Sequence, residues 1–353
     1  MFARRADYYA VSSGFFVGGP YCDGYFRGPM PAALRDIQAP VRAELKAFER
    51  HFREAMSSPV PLLDKITNHI LRRKGKQMRP LFVFLTAGLA GGITEQSYHA
   101  ASLVELLHTA TLVHDDVVDD SQERRGFFSL QALWGKKVAV LVGDYLLSRG
   151  LLLALDNGAY RLLHILSVAV REMSEGELLQ IQKARRLDIV EGVYFEVIRQ
   201  KTASLIAAAC ASGAASAGAS EADIERARML GEKAGIAFQI KDDLLDFGVE
   251  DIGKPRGIDI KEKKMTLPLI KALQDASPRE RKRVVRLIKR GSDRADNVRE
   301  VLEFVHASAG IAYAEERMND YLAQAREELD GFGESPYRNS LHQLLTFVTE
   351  RRK

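Results

Sequence analysis

At 353 residues, 46% hydrophobic and 28% charged, the chain has the composition of an ordinary globular protein, with room for one large domain or two smaller ones. Its net charge of +4 is too mild to point to a nucleic-acid partner. The two cysteines, Cys22 and Cys210, give neither a disulfide framework nor metal-ligand spacing, so a reducing, cytoplasmic setting is the expectation. Residues 1–33 mix glycine with aromatics and show no helical period, which predicts a disordered extension before a single domain over 34–353, with Met30 as an alternative start for translation. Arg4 and Arg5 do not open a signal peptide, because Asp7 intrudes and no apolar run of adequate length follows.

From Pro31 onward the pattern is helical. Leu62, Leu63, Ile66, Ile70 and Leu71 form one stripe, and breakers separate the segments at Gly91 and Gly92, Gly126, Asn157 and Gly158, and Gly253 to Gly257. Strand-like alternation is scarce and no Pro/Gly/Ser linker divides the halves. The reading is all-α, a single large bundle of about ten or more helices around a deep core. No apolar run reads as long enough to span a bilayer, and the alanine-rich stretch from Ser204 to Ala219 predicts close helix packing. The basic run Arg279 to Arg290 (RERKRVVRLIKR) reads as a solvated helix face, with peripheral contact to an anionic membrane surface as the alternative.

Chemistry concentrates in two acidic stretches. In HTATLVHDDVVDDSQERRG (His108 to Gly126), an apolar helical pattern turns acidic at Asp115, Asp116 and Asp119, with Asp115 and Asp119 one turn apart. In QIKDDLLDF (Gln239 to Phe247), Asp242, Asp243 and Asp246 repeat the spacing. One such cluster could be a solvated helix end; two, each leaving an apolar helix, predict opposing carboxylate walls of one site. Carboxylates without cysteine and with sparse histidine suit a hard cation, magnesium before zinc, and the DxDxDG loop of a calcium helix-loop-helix site is absent. The expected ligand is a diphosphate bridged by magnesium. Basic residues stand nearby: Lys76 and Arg79 in GKQMRP, Arg124 and Arg125 after the first cluster, Lys254 and Lys264 after the second.

With those motifs in view, the chain resembles the trans-prenyl diphosphate synthases, head-to-tail enzymes of isoprenoid chain elongation. The resemblance is carried by GKQMRP, HTATLVHDDVVDDSQERRG, LWGKKVAVLVGDYLL, SEGELLQ, KTASL, FQIKDDLLDF and GKPRGIDIKEKKMTLPL, in the family's order, over roughly Lys65 to Ala272. It implies the isoprenoid synthase type of bundle with a deep central cavity, a homodimer, and three magnesium ions per active site once substrate is bound. By position, Asp115, Asp116, Asp119, Asp242, Asp243 and Asp246 become metal ligands. Lys76, Arg79, His108 and Arg125 become the isopentenyl diphosphate pocket, and Arg124, Lys254 and Lys264 contacts of the allylic diphosphate. Lys201, Thr202 and Gln239 fall near that diphosphate and the developing cation. Gln239 also shares a helix face with Asp242 and Asp243, where its amide oxygen can offer a dipole to positive charge. His108 lies two turns above Asp115 on the same face, whereas His114 reads as structural.

The resemblance also bears on product length. Bulky aromatics four or five residues before the first aspartate close the family's elongation pocket, and here Ala110 and Thr111 occupy those positions. One helical turn rises about 5.4 Å, close to one isoprene unit, so a medium- or long-chain all-trans polyprenyl diphosphate is expected, with geranylgeranyl diphosphate as runner-up. Phe127, Phe128 and Ser129 depart from the usual Lys-Pro-Thr, Lys263 stands where glycine is usual, and GKQMRP lacks the doubled glycine. Three rivals remain: an HD-type metal phosphohydrolase using His108, His114 and Asp115, a non-catalytic partner subunit, and a terpene cyclase. The first leaves the second acidic cluster unexplained, the second would be expected to lose a cluster, and the third has no need of a second diphosphate pocket.

Overall fold

The computed structural model describes residues 32–72, 77–124, 127–184, 190–248, 257–291 and 294–350. The extension expected over 1–33 lies outside them except for Ala32 and Ala33, which open the first helix. Among the described residues the helices are α1 (Ala32–Ile37), α2 (Arg42–Met56), α3 (Pro61–Arg72), α4 (Met78–Leu89), α5 (Glu95–Val118), α6 (Leu130–Trp134), α7 (Lys136–Asp156), α8 (Tyr160–Ala184) and α9 (Glu191–Ile198). There follow a π-helical turn (Arg199–Ala203), α10 (Ser204–Ser216), α11 (Glu221–Asp246), α12 (Ile258–Lys261), α13 (Leu267–Asp275), α14 (Pro278–Gly291), α15 (Ala295–His306), α16 (Gly310–Asp330) and α17 (Pro336–Glu350). Two short strands, β1 (Glu123–Arg124) and β2 (Phe127–Phe128), pair antiparallel between α5 and α6. The fold is all-α apart from this hairpin.

Helix α10 is the hub, packing on α4, α5, α8 and α11. Its sequence, SLIAAACASGAAS, makes this possible, because small side chains let neighbouring backbones approach on every side. A methyl group at Gly213 would overlap Thr86 Oγ1 and the Val83 carbonyl of α4, and one at Gly235 of α11 would sit 2.6 Å from Ala203 Cα. The ends are tied as well. Thr94 and Ser97 form a capping box at the start of α5, Thr94 Oγ1 donates to the Ser216 carbonyl at 2.9 Å, and the Ser97 and Ser216 hydroxyls lie 2.8 Å apart. Helix α5, which carries the first acidic cluster, is thereby locked in register with α10.

Apolar packing falls into two clusters that meet along α11. Ile224, Ala227, Leu230 and Ala234 belong with the N-terminal helices, and Ile236, Ala237, Ile240 and Leu244 belong with α9, α12, α13 and α15. The second acidic cluster lies at the end of this shared helix.

One expectation is corrected. Helix α7 is, by length and composition, long and apolar enough to cross a membrane, although Gly143, Asp144 and Arg149 break up its apolar sequence. One side, with Gly143, Leu146 and Gly150, is buried against α5; the other exposes Val140, Leu141, Leu151, Leu152 and Leu155.

Gly213→Ala is expected to lower the unfolding free energy by about 2 kcal/mol, because a methyl must push α4 and α10 apart. Chemical denaturation of the purified variant measures it.

Candidate active site

Asp115 and Asp116 lie in the last turn of α5, and Asp119 is its C-cap, donating its backbone N–H to the Asp115 carbonyl at 2.8 Å. Asp116 is buried, Asp115 half-buried and Asp119 exposed. The C-terminal end of a helix already carries partial negative charge, so carboxylates gathered there call for a cation. The following loop is pinned by α6. Gln131 Nε2 donates to the Asp116 and Ser121 carbonyls at 2.7 and 2.8 Å, and the Ser129 hydroxyl donates to the Ser121 carbonyl at 2.6 Å while capping α6. Ser129, one of the departures from the family pattern, thus has a structural use.

The second cluster also ends a helix. On α11, Asp242 is exposed, Asp246 half-buried and Asp243 buried. Asp243 sits in a hydrogen-bonded chain: Tyr194 Oη donates to its Oδ2 at 2.7 Å, Gln239 Nε2 donates to its Oδ1 at 2.9 Å, and Thr202 Oγ1 donates to Gln239 Oε1 at 2.8 Å. Three of the expected residues, Thr202, Gln239 and Asp243, therefore meet directly. The Gln239 amide oxygen, expected to face a developing cation, accepts from Thr202. Burial, followed by the nearby Asp259 charge, pushes the Asp243 carboxyl up to about 8. Burial also pushes Asp259 up to about 6, with Asp246 the next cause. Asp246 accepts the Ile258 and Asp259 backbone N–H groups at 3.0 and 3.2 Å, fastening α12 to the end of α11.

Lys201 and Thr202 belong to the π-helical turn. Neighbours on a helix leave about 100° apart, so the two side chains reach different helices. Lys201 Nζ pairs with the Glu177 carboxylate of α8 and donates to Gln180 Oε1 at 3.2 Å, while Thr202 reaches α11. Lys264 Nζ lies 2.5 Å from Glu262 Oε2 and 3.8 Å from Asp259 Oδ1. Arg79 is half-buried in the first turn of α4, and His108 is buried on α5 with its carbonyl accepting from Thr111 Oγ1 at 2.9 Å. Ala110 is fully buried and Thr111 half-buried. Arg124 pairs with Phe127 in the hairpin through the backbone. Lys76, Arg125 and Lys254 lie outside the described residues.

His114 is turned away from the acidic wall onto α7, with Nε2 3.3 Å from the Val140 carbonyl and 3.4 Å from Asp144 Oδ1. That placement removes the pairing an HD-type hydrolase would use. Four further residues bond directly to the candidate residues: Tyr194, Glu177, Gln180 and Asp259. Glu177 and Gln180 lie inside SEGELLQ and Asp259 inside GIDIKEKK, both quoted motifs. Tyr194, two turns before Lys201, had no such signal.

Among the described residues no three His, Cys, Asp or Glu side chains converge to hold a metal ion by themselves. The donor set still fits magnesium, which takes one or two protein carboxylates and fills its other positions with water and substrate phosphate. Helices α5 and α11 both pack on α10 and supply the two half-sets.

A family model described as polyprenyl synthetase matches residues 60–305. An all-trans-nonaprenyl-diphosphate synthase (geranyl-diphosphate specific) of Rhodobacter capsulatus is 36% identical, over 90% of this chain and 98% of that protein. A short chain isoprenyl diphosphate synthase of Methanothermobacter thermautotrophicus is also 36% identical, over 90% of this chain and 99% of its own length. Among solved structures, a polyprenyl synthase from Caulobacter crescentus complexed with calcium and isoprenyl diphosphate superposes with a TM-score of 0.83 at 36% identity, covering 91% of this chain and 98% of that one.

The raised carboxyl of Asp243 makes a signed prediction for the metal-free protein. Its native value near 8 lies above an unfolded value of about 4, so its contribution is complete below about pH 4 and is lost as the pH rises through about 8. In EDTA, Asp243→Asn should match wild type in Tm near pH 4 and exceed it by several degrees at pH 9; a difference independent of pH would contradict this. Lys263, at φ 59° where glycine is favoured, makes another: Lys263→Gly should raise stability by about 1 kcal/mol in denaturant titration.

Proposed function

This chain belongs to the polyprenyl synthetase family and is a prenyltransferase, and from that premise we propose a magnesium-dependent synthase that makes a medium- or long-chain all-trans polyprenyl diphosphate. The observation that carries the site reading is the concentration of carboxylates at the C-terminal ends of α5 and α11, where the helix dipoles add negative charge and Asp116 and Asp243 are buried. Calcium and isoprenyl diphosphate bound together in the Caulobacter relative support a divalent metal and a prenyl diphosphate here.

In the proposed mechanism, Asp115, Asp116 and Asp119 at the end of α5, and Asp242 and Asp243 at the end of α11, would hold the metal that binds the allylic diphosphate. Bound magnesium supplies Lewis acidity to the leaving diphosphate. The allylic C–O bond breaks, and its electron pair leaves with the diphosphate. Lys201, together with Arg124, Lys254 and Lys264, holds that leaving group. Thr202 and Gln239 orient Asp243 and present fixed dipoles beside the cation without capturing it. Isopentenyl diphosphate, held by Lys76, Arg79, His108 and Arg125, attacks through its double bond to form the new C–C bond. The released diphosphate takes the proton lost in restoring a double bond. No side-chain nucleophile is required.

Product length is assigned from Ala110 and Thr111, because relatives of equal identity carry short-chain and nonaprenyl names. Ala110 is small and stands one turn below the first aspartates, where a bulky aromatic would close the elongation pocket. We also propose a homodimer. The exposed apolar side of α7, with Leu141, Leu152 and Leu155 on one stripe, is a patch suited to a second copy. A cytoplasmic setting completes the proposal, with Cys210 a free, buried thiol.

The deciding experiment incubates purified protein with labelled isopentenyl diphosphate, each allylic primer in turn and magnesium, then sizes the dephosphorylated products. Products longer than four isoprene units are expected, and Ala110→Phe should shorten them; a stop at four units would move the pocket floor to another helix. Asp116→Ala should lower kcat by about a thousandfold. Leu141→Glu combined with Leu152→Glu should convert a dimer to a monomer in analytical ultracentrifugation.

A further inference from the structure

Helix α14 has a sharply divided surface. Val284 and Ile288 are buried on the side that packs against α15. Arg279, Lys282, Arg286 and Lys289 are all exposed, and at helical spacing they fall within an arc of about 80°, in a straight row about 15 Å long. None of the four has a hydrogen-bond or ion-pair partner among the described residues. Their neighbours differ. Arg281 caps α13, donating to the Leu273 and Gln274 carbonyls at 2.7 and 3.0 Å, and Arg283 pairs with Glu300. The acidic residue of the helix, Glu280, is bound by the Ser277 hydroxyl at 2.6 Å. The basic row is therefore left over after the structural uses of the helix are met. Helix α15 also packs on α12, which Asp246 fastens to the end of α11.

We propose that this row is a docking surface for an anionic lipid bilayer. The proposal rests on the polyprenyl reading above, because a product that gains apolar surface with each isoprene unit becomes steadily less soluble in water and needs a bilayer to leave into. A straight row of long, exposed, unpaired cations meets a flat anionic surface along its full length. Single-stranded nucleic acid fits less well, because the row contains no aromatic side chain on which a base could stack.

Flotation with vesicles tests the surface without any substrate, and so separately from the enzymatic reading. Wild-type protein should float with vesicles of phosphatidylcholine mixed with phosphatidylglycerol, fail to float with phosphatidylcholine alone, and dissociate at high salt. Each basic residue near such a surface is worth about a fivefold change in partition. The combined Arg279→Gln, Lys282→Gln, Arg286→Gln and Lys289→Gln variant should thus lose binding by about two to three orders of magnitude, with turnover of a short, water-soluble primer unchanged. The milder Lys282→Gln, Lys289→Gln pair, which guards against misfolding, should lose about twenty-five-fold. Equal flotation of wild type and variants would overturn the proposal, as would no flotation of wild type, or retention of an RNA oligonucleotide by wild type without vesicle binding.

Discussion

A carboxylate buried as deeply as Asp243 must be protonated, hydrogen-bonded or faced with a cation, and much of the surrounding architecture answers that requirement. Tyr194 of α9 and Gln239 of α11 donate to its two oxygens, and Thr202 of the π turn holds Gln239 in place by donating to its amide oxygen. Their hydrogen bonds favour the charged form, yet burial outweighs them and holds the carboxyl up near 8. A divalent cation would reverse that balance. The buried carboxyl is thus held at an electrostatic cost that a cation brought beside it would offset.

The same economy is visible in the π turn. Neighbours such as Lys201 and Thr202 leave the helix about 100° apart. Lys201 thus serves α8 through Glu177 and Gln180 while Thr202 serves α11 through Gln239. The turn is held closely on both sides: a methyl at Gly176 would lie 2.8 Å from Gln200 Cβ, and one at Gly235 would lie 2.6 Å from Ala203 Cα. The small-residue surface of α10 continues this close packing downward.

Much of this was legible in the residues. Helical period and the lack of alternation specified an all-α chain, and the repeated aspartate spacing marked two helix ends, those of α5 and α11. The packing role of Ser204–Ala219 also followed from its small side chains, which α10 uses on all sides. Other features depend on distant partners and left no local trace. Tyr194 becomes significant only because α9 and α11 place it against a residue 49 positions away. The departure from glycine at Lys263 is visible in the sequence, but its meaning, a left-handed turn, lies in the backbone angle. Helix α7 misled because its interrupting Gly143, Asp144 and Arg149 obscured a sequence apolar enough to span a bilayer, while packing on α5 buries only one side of it.

The most direct test of the two-walled site is calorimetric titration with an allylic diphosphate analogue whose bridging oxygen is replaced by sulfur, so that it binds without ionising. Binding is expected in magnesium, accompanied by proton release as the raised Asp243 carboxyl ionises, and it should vanish in EDTA or when Asp116 and Asp243 are both changed to Asn. Equal affinity with and without the metal would contradict the view that the carboxylates act through bound cations.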